Sequence, residues 1–321
     1  MKVKLLLLLF ITFTCYATGQ VTEGELKLRK QTADSIHGWK HGAVVGINFG
    51  QTSLTNWAAG GQNSFAVNGL FSAFSNYKKD KTVWDNSLDI GYGLLKQGKN
   101  TDFMKTDDRF DFLSKYGRQA GKDFYYAALV NFKSQMTLGK SYGVDTLKIS
   151  NLLAPAYVLT AIGMDYKPNS YFSAFLAPFT GKLTIVNDED LANAGAFGVT
   201  PASYDGFGNV ITPGEKLKGE FGGYLRAIYS KNDFKSESLK NMSLSSKIDL
   251  FSNYLYKPQN IDVSWETMIV FKVNKYISVN LNTHLIYDAD ILFDTNGDGV
   301  NNAPLVQFKE ILGVGFLYKF N

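Results

Sequence analysis

The sequence predicts an all-β fold: a transmembrane, up-and-down antiparallel β-barrel of about twelve strands behind a cleaved signal peptide. Three observations carry that expectation. Apolar residues recur at every second position in one segment after another, the links between segments alternate between short and long, and aromatic residues bracket the short links.

The chain opens with Lys2 and Lys4, then the apolar run Leu5 to Phe13, then the small residues Ala17 and Gly19. That is the charged, apolar and cleavage-site order of a secretory signal. It divides the chain into a signal peptide at 1–19, a periplasmic leader at 20–38 and a barrel at 39–321. The apolar run is shorter than the ~20 residues a membrane-spanning helix needs, and no second run follows it. The single cysteine, Cys15, lies in this leader, so the exported chain is expected to carry neither thiol nor disulfide. A lipid anchor on Cys15 is the rival reading, opposed by Thr14 where a small Gly, Ala or Ser is expected.

Period-two alternation marks a strand with one apolar and one polar face. In 84–94, Trp84, Leu88, Ile90, Tyr92 and Leu94 share one face with Asn86, while Asp85, Ser87, Asp89, Gly91 and Gly93 share the other. The same split recurs in 261–273, with Met268 and Val270 as apolar exceptions on the polar face, and in 306–320, where Glu310 is the polar exception on the apolar one. Read this way, strands are expected at 40–54, 62–77, 82–95, 107–118, 123–138, 152–166, 171–183, 218–230, 237–252, 261–273, 276–288 and 306–320. Each exceeds the ~9 to 11 residues that cross a bilayer obliquely.

Tight turns are expected at 78–81, 119–122, 167–170, 231–236 and 274–275, and the other links are mostly longer. Short periplasmic turns, longer outer loops and both termini on the periplasmic side are the asymmetry of an outer-membrane barrel. Rings bracket the tight turns as interfacial girdles do: Tyr77 and Trp84, Tyr116 and Phe124, Tyr166 and Tyr171, Tyr229 and Phe234, Phe271 and Tyr276. Phe 24, Tyr 18 and Trp 4 are high counts that suit strands. A secreted β-sandwich would alternate too, but it uses ~7 to 9 shorter strands.

Several separated segments resemble a Bacteroidota family known as domain of unknown function 3078: "NWAAGGQNS" at 56–64, "APFTGKLT" at 177–184, "DLFSNYLYKPQNIDVSWE" at 249–266, "HLIYDADI" at 284–291 and "QFKEILGVGFLYKF" at 307–320. The resemblance implies an exported, barrel-like protein of the outer membrane of a Gram-negative bacterium, with no assigned activity. Phe320 also resembles the terminal aromatic that barrel-assembly machinery recognises, although Asn321 follows it here.

The expected partner is therefore the lipid bilayer. A formal net charge of +4, two units of which come from Lys2 and Lys4, argues against nucleic acid. Catalysis is not expected. A lipid hydrolase in such a barrel would need a Ser and His pair on the outer wall. His284 instead shares the polar face of its strand, His41 has no neighbouring nucleophile, and His37 precedes the barrel. Without cysteine or a histidine cluster, zinc is not expected either.

By parity the lumen is lined by Asp85, Asp89, Arg109, Asp111, Lys115, Lys133, Arg226, Lys247, Asp249, Asp262, Glu266, Lys272, His284 and Lys309, together with Gln135 and Glu220. Charges of both signs can line a narrow aqueous channel or pair into a plug, because ~8-stranded barrels are filled and ~16-stranded ones are open. The link 184–217 is the longest, and its two readings are a cap over the pore mouth and a solvated loop.

The segment "DTNGDGVNNAP" at 294–304 spaces Asp294, Asn296, Asp298, the Val300 carbonyl and Asn302 as calcium ligands, with Gly299 at the turn. Position twelve is Leu305 rather than Glu, so calcium would bind weakly; a plain Asn, Asp and Gly turn is the alternative. No other cofactor is expected. Function follows as a passive route for small hydrophilic solutes, with a non-conducting barrel serving as a surface binding or structural scaffold as the alternative and an outer-membrane lipid hydrolase as the third reading.

Overall fold

The computed structural model describes residues 37–55, 61–99, 101–141, 147–274, 277–296 and 302–320. The segments expected to be signal peptide and, nearly all of it, leader lie outside the described residues, as do the metal-ligand candidates Asp298 and Val300. Twelve long strands form one closed antiparallel barrel. They are β1 (Gly38–Thr52), β2 (Ser64–Lys79), β3 (Thr82–Gln97), β4 (Met104–Gln119), β5 (Phe124–Ser134), β6 (Ala156–Tyr166), β7 (Phe172–Ile185), β8 (Leu217–Lys231), β9 (Met242–Asn253), β10 (Ile261–Lys272), β11 (Ser278–Tyr287) and β12 (Gln307–Phe320). Each pairs with its neighbours in sequence, and β1 closes on β12 from Ala43↔Phe320 to Asn48↔Gly315. Closure leaves no unpaired sheet edge, which a barrel in a bilayer requires.

The expected strand number holds, while several strand ends move. β5 stops at Ser134 rather than 138, because the Asp108 carboxylate draws the chain out of the ladder by accepting the Met136 and Thr137 N–H groups at 2.8 and 2.9 Å. Beyond it, Gly139–Lys140 and Lys148–Ser150 form a small ladder of their own. β6 starts at Ala156 rather than 152, after a tight bridge between Asn151 and Ala154. β9 starts at Met242 rather than 237, since 236–242 makes two successive turns, Leu239 N–H to Ser236 O and Met242 N–H to Leu239 O. The link 232–241 is thus longer than the links 98–103 and 254–260 at the opposite end. Strict alternation of short and long links is corrected accordingly. At the tightest turn, between β2 and β3, Asp80 sits at φ 51°, a left-handed conformation that Asp tolerates better than most residues.

The barrel is inside out relative to a water-soluble fold. Ile47, Phe112, Val130, Ile162, Leu176, Trp265, Leu312 and Val314 are exposed, while Ser72, Asp111, Lys115, Asn131, Arg226, Lys247 and Asp249 are buried. At the short-turn end Trp39 packs on Tyr77 and Trp84 with ring centroids 5.2 and 5.7 Å apart, and Phe124 stacks on Tyr166 at 4.7 Å. One apolar cluster of Ala127, Leu129, Ala161, Phe175, Ala177, Tyr224 and Phe251 fills part of the interior along β5 to β9.

β7 departs from regular alternation. Pro178 has no N–H to give a ladder, and the register with both neighbours shifts beside it, between Ile162 and Met164 on β6 and between Gly222 and Tyr224 on β8. Side-chain parity reverses across this bulge. Ser173, Phe175 and Ala177 are buried before it, Thr180 and Thr184 after it.

The longest link, 186–216, is a structured unit. A short helix, Glu189–Asn193, is capped by the Asp188 carboxylate, which accepts the Leu191 N–H. It is followed by a 3-10 turn, Ala196–Gly198, and a small hairpin, Ser203–Tyr204 with Val210–Thr212. Val186, Leu191, Ala192 and Val199 bury themselves with Ala154 in a core of its own.

Candidate functional site: the lumen

Side chains of strands that are not neighbours in a closed barrel can meet only across its interior. Arg109 on β4 reaches Glu266 on β10 at 3.3 Å. Lys133 on β5 lies 3.6 Å from Asp249 on β9, and Lys247 on β9 lies 3.7 Å from Asp111 on β4. Lys309 on β12 meets Asp107 on β4 at 2.7 Å. These contacts define the lumen from the residues themselves.

Three levels follow along the barrel axis. Nearest the short turns, Lys115 donates to Asp165 at 2.7 Å, and Lys167 reaches back from the turn after β6 to Asp165 at 3.3 Å and Asp85 at 2.8 Å. Midway, Arg226 forks onto Asp249 through Nε at 2.6 Å and Nη2 at 2.9 Å, and the Tyr224 hydroxyl donates to the same carboxylate at 2.6 Å. Lys133 sits between Asp249 and Asp111, and Lys247 continues the belt to Glu266 at 2.9 Å and thus to Arg109. Toward the loop end, Lys182 lies 2.7 Å from Asp262, 3.4 Å from Glu220 and 3.8 Å from Asp288. Lys218 there pairs with Asp290 and lies 3.6 Å from Glu220.

Most of the residues expected in the lumen therefore meet one another. Asp89 accepts a hydrogen bond from Ser72. His284 Nε2 lies 3.0 Å from Ser264 Oγ and lines the interior, as parity indicated. Lys272 ends β10 at the short-turn end, away from the belt. Glu220 and Gln135 also turn inward. Parity missed Lys182, because the Pro178 bulge lies between it and the first half of β7; the proline inside a strand pattern was the signal. Asp107 and Asp165 were legible by parity and were passed over. Lys167 opens the expected tight turn at 167–170, yet its four-carbon stem carries the ammonium back among carboxylates.

Cavities remain between these side chains. One of about 110 Å³ lies between the lowest level and the belt, against Asp85, Asp89, Lys115 and Lys247. Another of about 90 Å³ adjoins Asp107, Arg109, His284 and Lys309. A further one, about 330 Å³, opens toward the loops, and Phe197 of the 186–216 link forms part of its wall. Through Phe197 that link contributes to the wall at the loop end of the barrel.

In the 294–304 segment, the Asn302 amide donates to Asn296 Oδ1 at 2.9 Å, and Asn302 Oδ1 accepts from the Thr295 hydroxyl at 2.6 Å. The Asp294 carboxylate accepts the Asn296 N–H at 3.2 Å. A cation at these oxygens would displace bonds already made within the turn. Among the described residues no group of three His, Cys, Asp or Glu side chains is arranged to hold a metal ion.

Comparison with solved structures returns other barrels at low similarity. The chain is similar to the COG4313 outer membrane channel from Pseudomonas putida F1, with 10% identity, a TM-score of 0.39, and 89% of this chain and 97% of that chain covered. It is similar to the translocator domain of the autotransporter NalP from Neisseria meningitidis, with 10% identity, a TM-score of 0.37, and coverage of 95% and 99%. For the CymD monoaromatic hydrocarbon channel the values are 10% identity, a TM-score of 0.34, and coverage of 96% and 99%. No curated protein matches the chain. Residues 49–139, which include the first of the resembling segments, match the family model DUF3078, described as a protein of unknown function.

Proposed function

We propose that this protein is an outer-membrane β-barrel that serves as a narrow, normally closed channel for small hydrophilic solutes. Its exposed apolar wall and the ring clusters at the short-turn end suit a bilayer. The single observation that carries the reading is the belt of ion pairs from Arg226 through Asp249, Lys133, Asp111 and Lys247 to Glu266 and Arg109, with cavities on both of its sides. Charges of alternating sign across a lumen select small ions and exclude apolar solutes. Exchange of partners within the belt would open the path without unfolding a strand.

The same belt favours one second reading, a non-conducting scaffold, if its pairs never exchange. Planar-bilayer recording of the refolded protein separates the two. The channel reading expects small discrete conductance steps for the native chain and larger ones for Lys247→Ala combined with Glu266→Gln, a change that thins the belt by two charges of opposite sign. Silence in both proteins, with each inserted and folded, would establish the scaffold instead.

A further inference from the structure

The chamber of about 330 Å³ at the loop end has a lining unlike the rest of the lumen. Tyr157 from β6, Tyr224 from β8, Phe251 from β9, Tyr287 from β11 and Phe197 from the 186–216 link bring rings to it from five places in the chain. Phe197 is held at φ 59°, in the left-handed region that a non-glycine residue rarely occupies. Such strain persists where the surroundings enforce it and tends to mark ligand sites. Here the small core of Val186, Leu191, Ala192 and Val199 packs against Phe197.

Charge at this level is unbalanced. Of the charged side chains that line the chamber, Lys133 and Lys182 are the cations and Asp249, Asp262 and Asp288 the carboxylates, and Glu220 lies beside Lys182. The Lys182 ammonium shows what chemistry the wall accepts: it lies 5.0 Å from the centroid of the Phe251 ring, with Asp262 and Glu220 beside it. Rings and carboxylates around an ammonium are the recognition pattern for organic cations. Of the three chamber carboxylates, Asp249 is held by Arg226 and Lys133 and Asp262 by Lys182 at 2.7 Å, whereas Asp288 lies 3.8 Å from Lys182. An anionic ligand would find Lys182 and Lys133 already held between acids.

We infer that this chamber is a binding site for a small organic cation, an amine or guanidine carried on a flat apolar body. Its volume lies at the lower end of the ~300 to 1,000 Å³ of small-molecule pockets, which limits the ligand to roughly one ring and its charged arm. The inference rests on the chamber alone and stands whether or not the belt conducts.

The test is calorimetric titration of the full chain, refolded in zwitterionic micelles, against phenethylammonium, neutral 2-phenylethanol, anionic 3-phenylpropionate and calcium chloride, with empty micelles as the blank. Phenethylammonium should bind at least about tenfold more tightly than the neutral and anionic probes, the ratio that one neutralised charge supplies. Asp288→Asn should weaken it about tenfold, and Phe197→Ala should weaken it severalfold. Equal or tighter binding of the anion, or phenethylammonium binding that neither variant changes, would overturn the site. So would calcium binding that displaces the amine at stoichiometric concentration. The resistance of the folded barrel to unboiled SDS electrophoresis separates lost binding from lost folding in each variant.

Discussion

At the short-turn end of the lumen Lys115 and Lys167 meet Asp85 and Asp165, two cations against two carboxylates, at 2.7 to 3.3 Å. At the loop end Lys182 and Lys218 meet Glu220, Asp262, Asp288 and Asp290, two against four, and of these Lys182, Asp262 and Asp288 line a chamber of about 330 Å³. Both ends use lysine and carboxylates on the inward face of β-strands, so composition alone does not distinguish them. Balance and packing do. Where charges match in number and lie close, the cavity beside them is about 110 Å³. Where acids outnumber cations and rings hold the wall apart, hollow space and a field for a cation remain.

The belt between the two ends is the largest target. Arg226 and Asp249 are both buried, and the fork between them leaves Asp249 dependent on Arg226. Arg226→Met removes the fork and strands a carboxylate whose remaining partners are Tyr224 and Lys133. Loss of one member of a buried pair costs about 3–5 kcal/mol. Urea unfolding of the refolded barrel should show a loss of that size. A loss below about 1 kcal/mol would mean that water already reaches the belt, and the division of the lumen into two ends would fail.

The next pair of substitutions compares the ends directly. Asp165→Asn removes charge from a nearly fully buried carboxylate held by Lys115 and Lys167, and should cost about 2–3 kcal/mol in the same assay. Asp288→Asn removes one acid from the end with a surplus, and Lys182 keeps Asp262 and Glu220. Its cost should be within about 1 kcal/mol of zero. Equal costs would show that charge balance does not separate the two regions.

Much of this was legible in the sequence because alternation fixes both the strand and the face. The twelve strands, and inward positions such as Asp111, Arg226, Asp249 and Glu266, followed from period two alone. What escaped depended on events that parity does not encode. Pro178 shifted the register of β7 and turned Lys182 inward. Asp108 captured the Met136 and Thr137 N–H groups and shortened β5. Partner choice also escaped, since Arg109 and Glu266 lie 157 positions apart and meet only because the barrel closes. Met268 and Val270, apolar exceptions in the alternation, are buried on the inner face. A small barrel can afford apolar side chains where its lumen is narrow.

The smallest expected effect sharpens the comparison at the loop end, where the 186–216 link forms part of the chamber wall. Asp188 ties that link to the preceding one: its carboxylate receives Lys148 at 2.7 Å, the Asn151 amide at 2.9 Å and the Leu191 N–H at 3.2 Å. Desolvation pushes this carboxyl up, but the hydrogen bonds from Lys148, Asn151 and Leu191 outweigh it and hold its pKa down at about 2. An Asp in an unfolded link titrates near ~3.9. The folded link therefore binds fewer protons than the open one in this window, and its stability must fall as pH falls. The stabilisation from Asp188 should be complete above about pH 4, decline from there to about pH 2, and be absent below. Pepsin cleavage within 186–216 of the refolded barrel, measured across that range, should accelerate severalfold while the strands stay intact. Lys148→Ala should shift the onset of cleavage to higher pH, because it removes the charged member of the clamp. A cleavage rate that stays flat from pH 4 to 2 would place the anchoring of this wall in the Val186, Leu191 and Val199 core rather than in the carboxylate.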